Sequence, residues 1–88
     1  MNDDYLGKYI ATATTTQVKT GAGALKAIVV GTEAAGAIKI IDGTSGTTTN
    51  LGELESGANP GTYEFNCQFT SGLRIVTAAA TKITVIYR

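Results

Sequence analysis

Between Thr62 and Thr70 the chain alternates strictly, with Tyr63, Phe65, Cys67 and Phe69 on one face and Glu64, Asn66 and Gln68 on the other. A period of two marks a strand buried on one side. Lys82–Arg88 repeats it, placing Ile83, Val85 and Tyr87 inward against Lys82, Thr84 and Arg88. The same reading puts Leu73 and Ile75 inward in Leu73–Thr77, Ile38 and Ile40 inward in Ala37–Asp42, and Leu25, Ala27 and Val29 inward in Ala24–Val30. Thr48–Glu55, with Leu51 and Leu54, is a weaker edge strand, and the Thr-rich Tyr9–Lys19 adds one or two more. Turn signals at Gly21–Gly23, Gly31–Gly36, Gly43–Gly46, Ser56–Gly61 and Ser71–Gly72 separate these segments at short, regular intervals. No interval suits an amphipathic helix, so the pattern predicts an all-β, single-domain antiparallel β-sandwich or jelly roll of about seven or eight strands, built from hairpins. Residues 1–16 read as an N-terminal arm or first strand, with Met1–Asp4 an unstructured tip, and residues 17–88 as the sandwich.

Several of these strands are apolar on both faces. Ile28 and Val30 share a face with Lys26, Ile41 with Lys39, and Val76 with Arg74, while Ile86 stands between Thr84 and Arg88. A monomeric sandwich keeps its outer faces polar, so Ile28, Val30, Ile41, Val76 and Ile86 are expected to form a subunit interface. A bulge that shifts the alternation, cover by the arm, or scattered exposure would give the same pattern. Tyr5, Leu6, Tyr9 and Ile10 likewise form either a partner-docking arm or the first strand of the domain's own sheet.

Length sharpens the expectation of self-association. A chain of 88 residues buries only about 60% of its unfolded surface, and with one cysteine and no histidine it has neither a disulfide nor a Cys/His zinc site to reinforce it. Seven basic and seven acidic residues are scattered singly, leaving no basic stripe for a phosphate backbone, so no nucleic-acid partner is expected. No apolar run is long enough for a membrane span and Met1–Leu6 does not resemble a signal peptide, so no membrane partner is expected and synthesis is placed in the cytoplasm.

Catalytic chemistry finds no foothold. Without histidine the ordinary base near neutral pH is missing, and Cys67 shares the core face of Phe65 and Phe69, where a thiol behaves as a small hydrophobe. Glu53 and Glu55 read as surface groups, and Asp42 opens a Gly-Thr-Ser-Gly turn whose nearby backbone N–H groups its carboxylate would accept. Gly21-Ala-Gly23 leads into no helix and reads as a turn. A non-enzymatic binding protein is expected, with no catalytic residues, metal or cofactor.

The segments Gly23–Val30, Gly36–Thr44, Asn59–Phe69, Gly72–Val76 and Ile83–Arg88 together resemble small virion structural proteins of tailed bacteriophages, over most of the chain from about Thr14 onward. The matching motifs are fold signatures, and none is a site. Cys67 stands where that group usually has an aliphatic residue and Ile41 where an aromatic is frequent. The resemblance implies a head decoration, cement or head-fibre protein: a homotrimer, located in the virion, that binds the assembled capsid or other virion proteins. Its alternatives are a tail, neck or baseplate component, or a carbohydrate- or receptor-binding module of a host-recognition fibre. With no Trp, and with Tyr63 and Tyr87 inward, only Tyr5 and Tyr9 could serve the last of these as sugar platforms.

Overall fold

The computed structural model describes residues 5–32, 35–46 and 51–88. Met1–Asp4, Glu33 and the start of the Thr48–Glu55 segment lie outside the described residues. Eight strands follow in chain order: β1 (Leu6–Ile10), β2 (Thr14–Thr20), β3 (Gly23–Val30), β4 (Ile38–Asp42), β5 (Gly52–Leu54), β6 (Gly61–Phe69), β7 (Gly72–Thr77) and β8 (Ile83–Tyr87). They form two antiparallel four-stranded sheets, ordered β1-β8-β3-β6 and β2-β7-β4-β5. The first strand pairs with the eighth, the second with the seventh, the third with the sixth and the fourth with the fifth. This nested pairing is the jelly-roll arrangement.

The expectation of hairpins is corrected here. Among the described strands, only β4 and β5 are consecutive and bonded to each other; every other connection carries the chain to the opposite sheet. Gly72 shows what one crossing requires. Its φ is 157°, and a Cβ there would lie 2.8 Å from the Lys19 carbonyl oxygen and 3.0 Å from that of Gly43, so only glycine lets these backbones close at the end of the sandwich.

The core lies between the sheets. Leu25, Ile28, Val30, Ile83 and Val85 from one side meet Ile38, Ile40, Leu73 and Ile75 from the other, with Phe69 and Ile10 at its margins, each no more than 4% exposed. Burying an aliphatic side chain of this kind is worth about 1.5–3 kcal/mol. Two threonines join them without an unmet hydroxyl. Thr77 Oγ1 accepts the Thr14 N–H at 3.0 Å and donates to the Thr12 carbonyl at 2.6 Å, while Thr81 Oγ1 accepts the Ala35 N–H at 3.2 Å.

Strand β3 departs from the expected alternation. Leu25 pairs with Tyr87 and Ala27 with Ile86, so β3 carries one extra residue, Lys26, against β8. Beyond that bulge the parity reverses. Ile28 and Val30 turn into the core at 0% and 2% exposure, and Val29 turns outward, while Ala27, on the same side of the strand as Val29, is itself only 4% exposed. The interface role expected for Ile28 and Val30 is therefore corrected: the opposite sheet of the same chain covers them.

Candidate protein-binding surfaces

Residues 5–16, read as an arm or first strand, pair into the sandwich as β1 and the beginning of β2. Ile10 lies opposite Ile83 and is buried at 4%, so it belongs to the core and not to a docking arm. Leu6 and Tyr9 remain 57% and 59% exposed on this edge strand. Tyr5 precedes it, with its ring beside two cations.

The two outer faces differ in chemistry. On the β2-β7-β4-β5 sheet, Arg74 donates through Nη1 to Gln17 Oε1 at 2.9 Å and through Nε to the Gly46 carbonyl at 2.9 Å. Gln17 Nε2 in turn donates to the carbonyls of Gly43 and Lys19 at 2.9 and 2.8 Å. These bonds draw residues 43–46 back over the sheet, where Gly43 approaches the Ile41 side chain. Ile41 is 3% exposed, so its expected place in a subunit interface is corrected; its own chain already covers it. Lys39 and Glu53 stand opposite each other in register beside Val76, completing a polar face.

Among the described residues, the middle of the outer face of the β1-β8-β3-β6 sheet shows no such network. Thr84 and Ile86 of β8 stand beside Val29 and Ala27 of β3, with Gly7 and Tyr9 of β1 to one side and Thr62 and Glu64 of β6 to the other. These positions of the two central strands are uncharged, with Lys26 of β3, Lys82, Arg88 and Glu64 around them. Ile86 and Val76, grouped in one expected interface, lie on opposite sides of the sandwich.

A cleft of about 470 Å³ opens where edge strand β5 meets edge strand β6. Glu53, Glu55, Asn59 and Tyr63 line it. The Tyr63 hydroxyl donates to the Asn59 carbonyl at 2.7 Å, which fixes the ring as one wall. The Phe65 ring packs toward Gly52, where a Cβ would lie only 3.3 Å away, holding the two strands together below the cleft.

The Asp42 carboxylate accepts backbone N–H groups from across the molecule. Oδ2 takes the Thr70 N–H at 2.9 Å and Oδ1 the Ser71 N–H at 2.8 Å. The Ser71 and Thr70 amides hold its pKa below the ordinary 3.8. Cys67 is half-buried, and burial pushes its thiol pKa up, away from the reactive thiolate form. Among the described residues no three His, Cys, Asp or Glu side chains gather as a metal site would require, and no helix is long and apolar enough to cross a membrane.

No family model and no curated protein matches this chain. Among solved structures it is similar to the nucleoplasmin-like NLP core of Drosophila, described as giving insight into pentamer formation and histone binding. The likeness has a TM-score of 0.62 at 13% identity and covers 98% of this chain and 97% of the other. It shows a shared β-sandwich fold. The resemblance to phage virion proteins is corrected by this finding: the structure found similar is the NLP core. The expected capsid decoration role, the homotrimer, the capsid partner and the virion location are corrected accordingly, and the exclusion of nucleic acid as a partner finds no support. The similar fold is that of a binding core and not of an enzyme.

The charge and turn pattern pointed to Asp42 and to the outward Ile86. Sequence reasoning missed the outward Val29, which only strand pairing reveals, and the grouping of Tyr5, Lys26 and Arg88.

Proposed function

We propose that this chain is a non-enzymatic assembly core, whose copies associate through the outer face of the β1-β8-β3-β6 sheet to make a protein-binding particle. The contrast between the two outer faces carries this reading. One is occupied by the Arg74–Gln17 network and the turn it holds; the other sets Val29, Ile86 and Thr84 side by side, with Lys26, Lys82, Arg88 and Glu64 around them. An apolar centre with a polar margin is the usual make-up of an association surface. The likeness to the NLP core, which covers both chains almost end to end, favours five copies in the assembly. Native mass spectrometry and sedimentation at micromolar concentration test it: a pentamer is expected, and a persistent 9.0 kDa monomer would overturn it.

A second reading concerns the cargo. The β5–β6 cleft places Glu53 and Glu55 beside a fixed tyrosine, an environment suited to lysine and arginine side chains, and histone binding is named for the NLP core. Fluorescence anisotropy with labelled core histones should show salt-sensitive binding that Glu53→Gln with Glu55→Gln weakens. Binding unaffected by that pair of substitutions would place the cargo elsewhere.

A further inference from the structure

Among the described strands, β6 is an edge of its sheet, bonded to β3 alone. Contacts at the two ends of β3 fix which way its backbone groups turn. Ala24 exchanges both backbone hydrogen bonds with Arg88, at 2.8 and 2.9 Å, and the Gly31 N–H donates to the Lys82 carbonyl at 2.8 Å. Bonded pairs alternate along an antiparallel ladder, so Ala27 and Val29 turn their backbone groups to β8, and Ile28 and Val30 turn theirs to β6. The partners of these last two, Tyr63 and Gly61, face back toward β3. Thr62 and Glu64 consequently aim N–H and C=O at the open side, where both residues are exposed. Such an edge is a template for one further strand. Asn66, at φ 49°, interrupts β6 after Phe65, which leaves Gly61–Phe65 as about 17 Å of regular edge.

Charge decides what this edge selects. From residue 43 to residue 73 the sequence holds no lysine or arginine, and its charged residues are Glu53, Glu55 and Glu64. Glu53 and Glu55 line the cleft beside Tyr63, on one face of the edge, and Glu64 stands on the other. Lys39 and Lys26 are their neighbours in register, but among the described residues no ion pair joins either lysine to these carboxylates. An added strand alternates its side chains between the two faces, so a lysine or arginine on either face meets a carboxylate. The opposite edge of the same sheet, β1, carries Lys8 as its own charge and does not favour such a strand.

We propose that the Gly61–Phe65 edge of β6 binds an extended, lysine- or arginine-rich peptide segment by strand addition, main chain to main chain at Thr62 and Glu64, with basic side chains toward Glu53 and Glu55 on one face and Glu64 on the other. This rests on the basic cargo assigned above to the β5–β6 cleft, and specifies how that cargo is held.

Fluorescence anisotropy on the full chain tests it with a labelled hexapeptide of alternating lysine and threonine, and with the same peptide N-methylated at its two central residues. Both carry the same charge, but the second has lost a donor from each edge of its strand and cannot pair closely on either. It should bind the wild-type protein about tenfold more weakly, the loss expected for one or two hydrogen bonds. Thr62→Pro, which removes an N–H from the open edge and none from the β3 ladder, should weaken the unmethylated peptide to a similar degree. Gly7→Pro, the equivalent change on the open side of β1, should leave it unaffected. Equal affinity of the two peptides would overturn the proposal, as would undiminished binding by the folded Thr62→Pro variant. Binding that both changes leave intact but Glu53→Gln with Glu55→Gln abolishes would remove the strand mode and keep the cleft as the cargo site. Absence of binding by the unmethylated peptide would also overturn it, alone if the cargo binding tested above persists, and together with that reading if it does not.

Discussion

Asp42 at the end of β4 accepts the backbone N–H of Ser71, 29 positions further along the chain, at 2.8 Å. With the neighbouring Thr70 N–H, this ties one sheet to the turn by which β6 leaves the other. The amides favour the charged carboxylate, so its pKa in the folded protein lies below the 3.8 of the free group. A lowered folded pKa contributes stability that is present above 3.8 and is lost as pH falls through the folded value. Thermal melts across the acid range should therefore show wild-type stability falling below pH 3.8, with a shallower fall in Asp42→Asn. At neutral pH the variant should melt lower. Identical acid profiles for the two proteins would show that the contact is not held in solution.

Four strands were legible because each is more buried on one side: β6 from Tyr63 to Phe69, whose alternation survives the irregularity at Asn66, β7 at Leu73 and Ile75, β8 at Ile83 and Val85, and β4 at Ile38 and Ile40. Strand β3 was misread beyond Lys26. A bulge is set by the count of residues on the paired strands, β8 and β6, and the eight residues of β3 carry no mark of it. Glycines announced the breaks but not whether the chain returned to the same sheet or crossed, so hairpins were expected where crossovers occur. The same limit hid the grouping of Tyr5, Lys26 and Asn66, which are brought together only by the register of β1, β8, β3 and β6.

Reversed parity in β3 makes a sharp contrast between neighbours. Ile28 is fully buried in the core, whereas Val29 is half-buried on the outer face. Ile28→Ala should cost about 2–5 kcal/mol in denaturant unfolding, the range for truncating a packed aliphatic side chain. Val29→Ala should cost about 1 kcal/mol or less in the dissociated chain. Equal costs, or the reverse order, would mean that the bulge at Lys26 is absent.

Asn66 lies in a second bulge, where β6 carries one residue more than β3 because Leu25 pairs with Cys67 but Ala27 with Glu64, and it offers a test of that irregularity. At φ 49°, glycine relieves the backbone while a β-branched residue meets a steric penalty of about 1–2 kcal/mol. Asn66→Gly should be as stable as the parent or slightly more so, and Asn66→Val less stable by about that amount in chemical denaturation. If valine were tolerated as well as glycine, β6 would run through this point in ordinary extended conformation.

Assembly can be assigned to one face by comparing two residues that the sequence placed together and the fold separates. Ile86 stands on the outer face of the β1-β8-β3-β6 sheet beside Ala27 and across from Gly7, and Val76 on the outer face of the other sheet, between Thr15 and Lys39. Both are half-buried and point away from the core, so a charge at either leaves the sandwich interior intact. In an assembly built on the first face, a carboxylate at position 86 would be taken from water into an apolar contact without a partner, at a cost of several kcal/mol per copy, about the scale for an unpaired polar group. Position 76 lies near Lys39, on the side held by the Arg74–Gln17 network, where a carboxylate stays solvated. Sedimentation should then show Ile86→Asp dissociated and Val76→Asp assembled as the parent is, with circular dichroism confirming that both keep their strands. Dissociation by Val76→Asp alone would move the interface to the opposite sheet, and an intact Ile86→Asp assembly would remove the outer face of β8 and β3 from consideration.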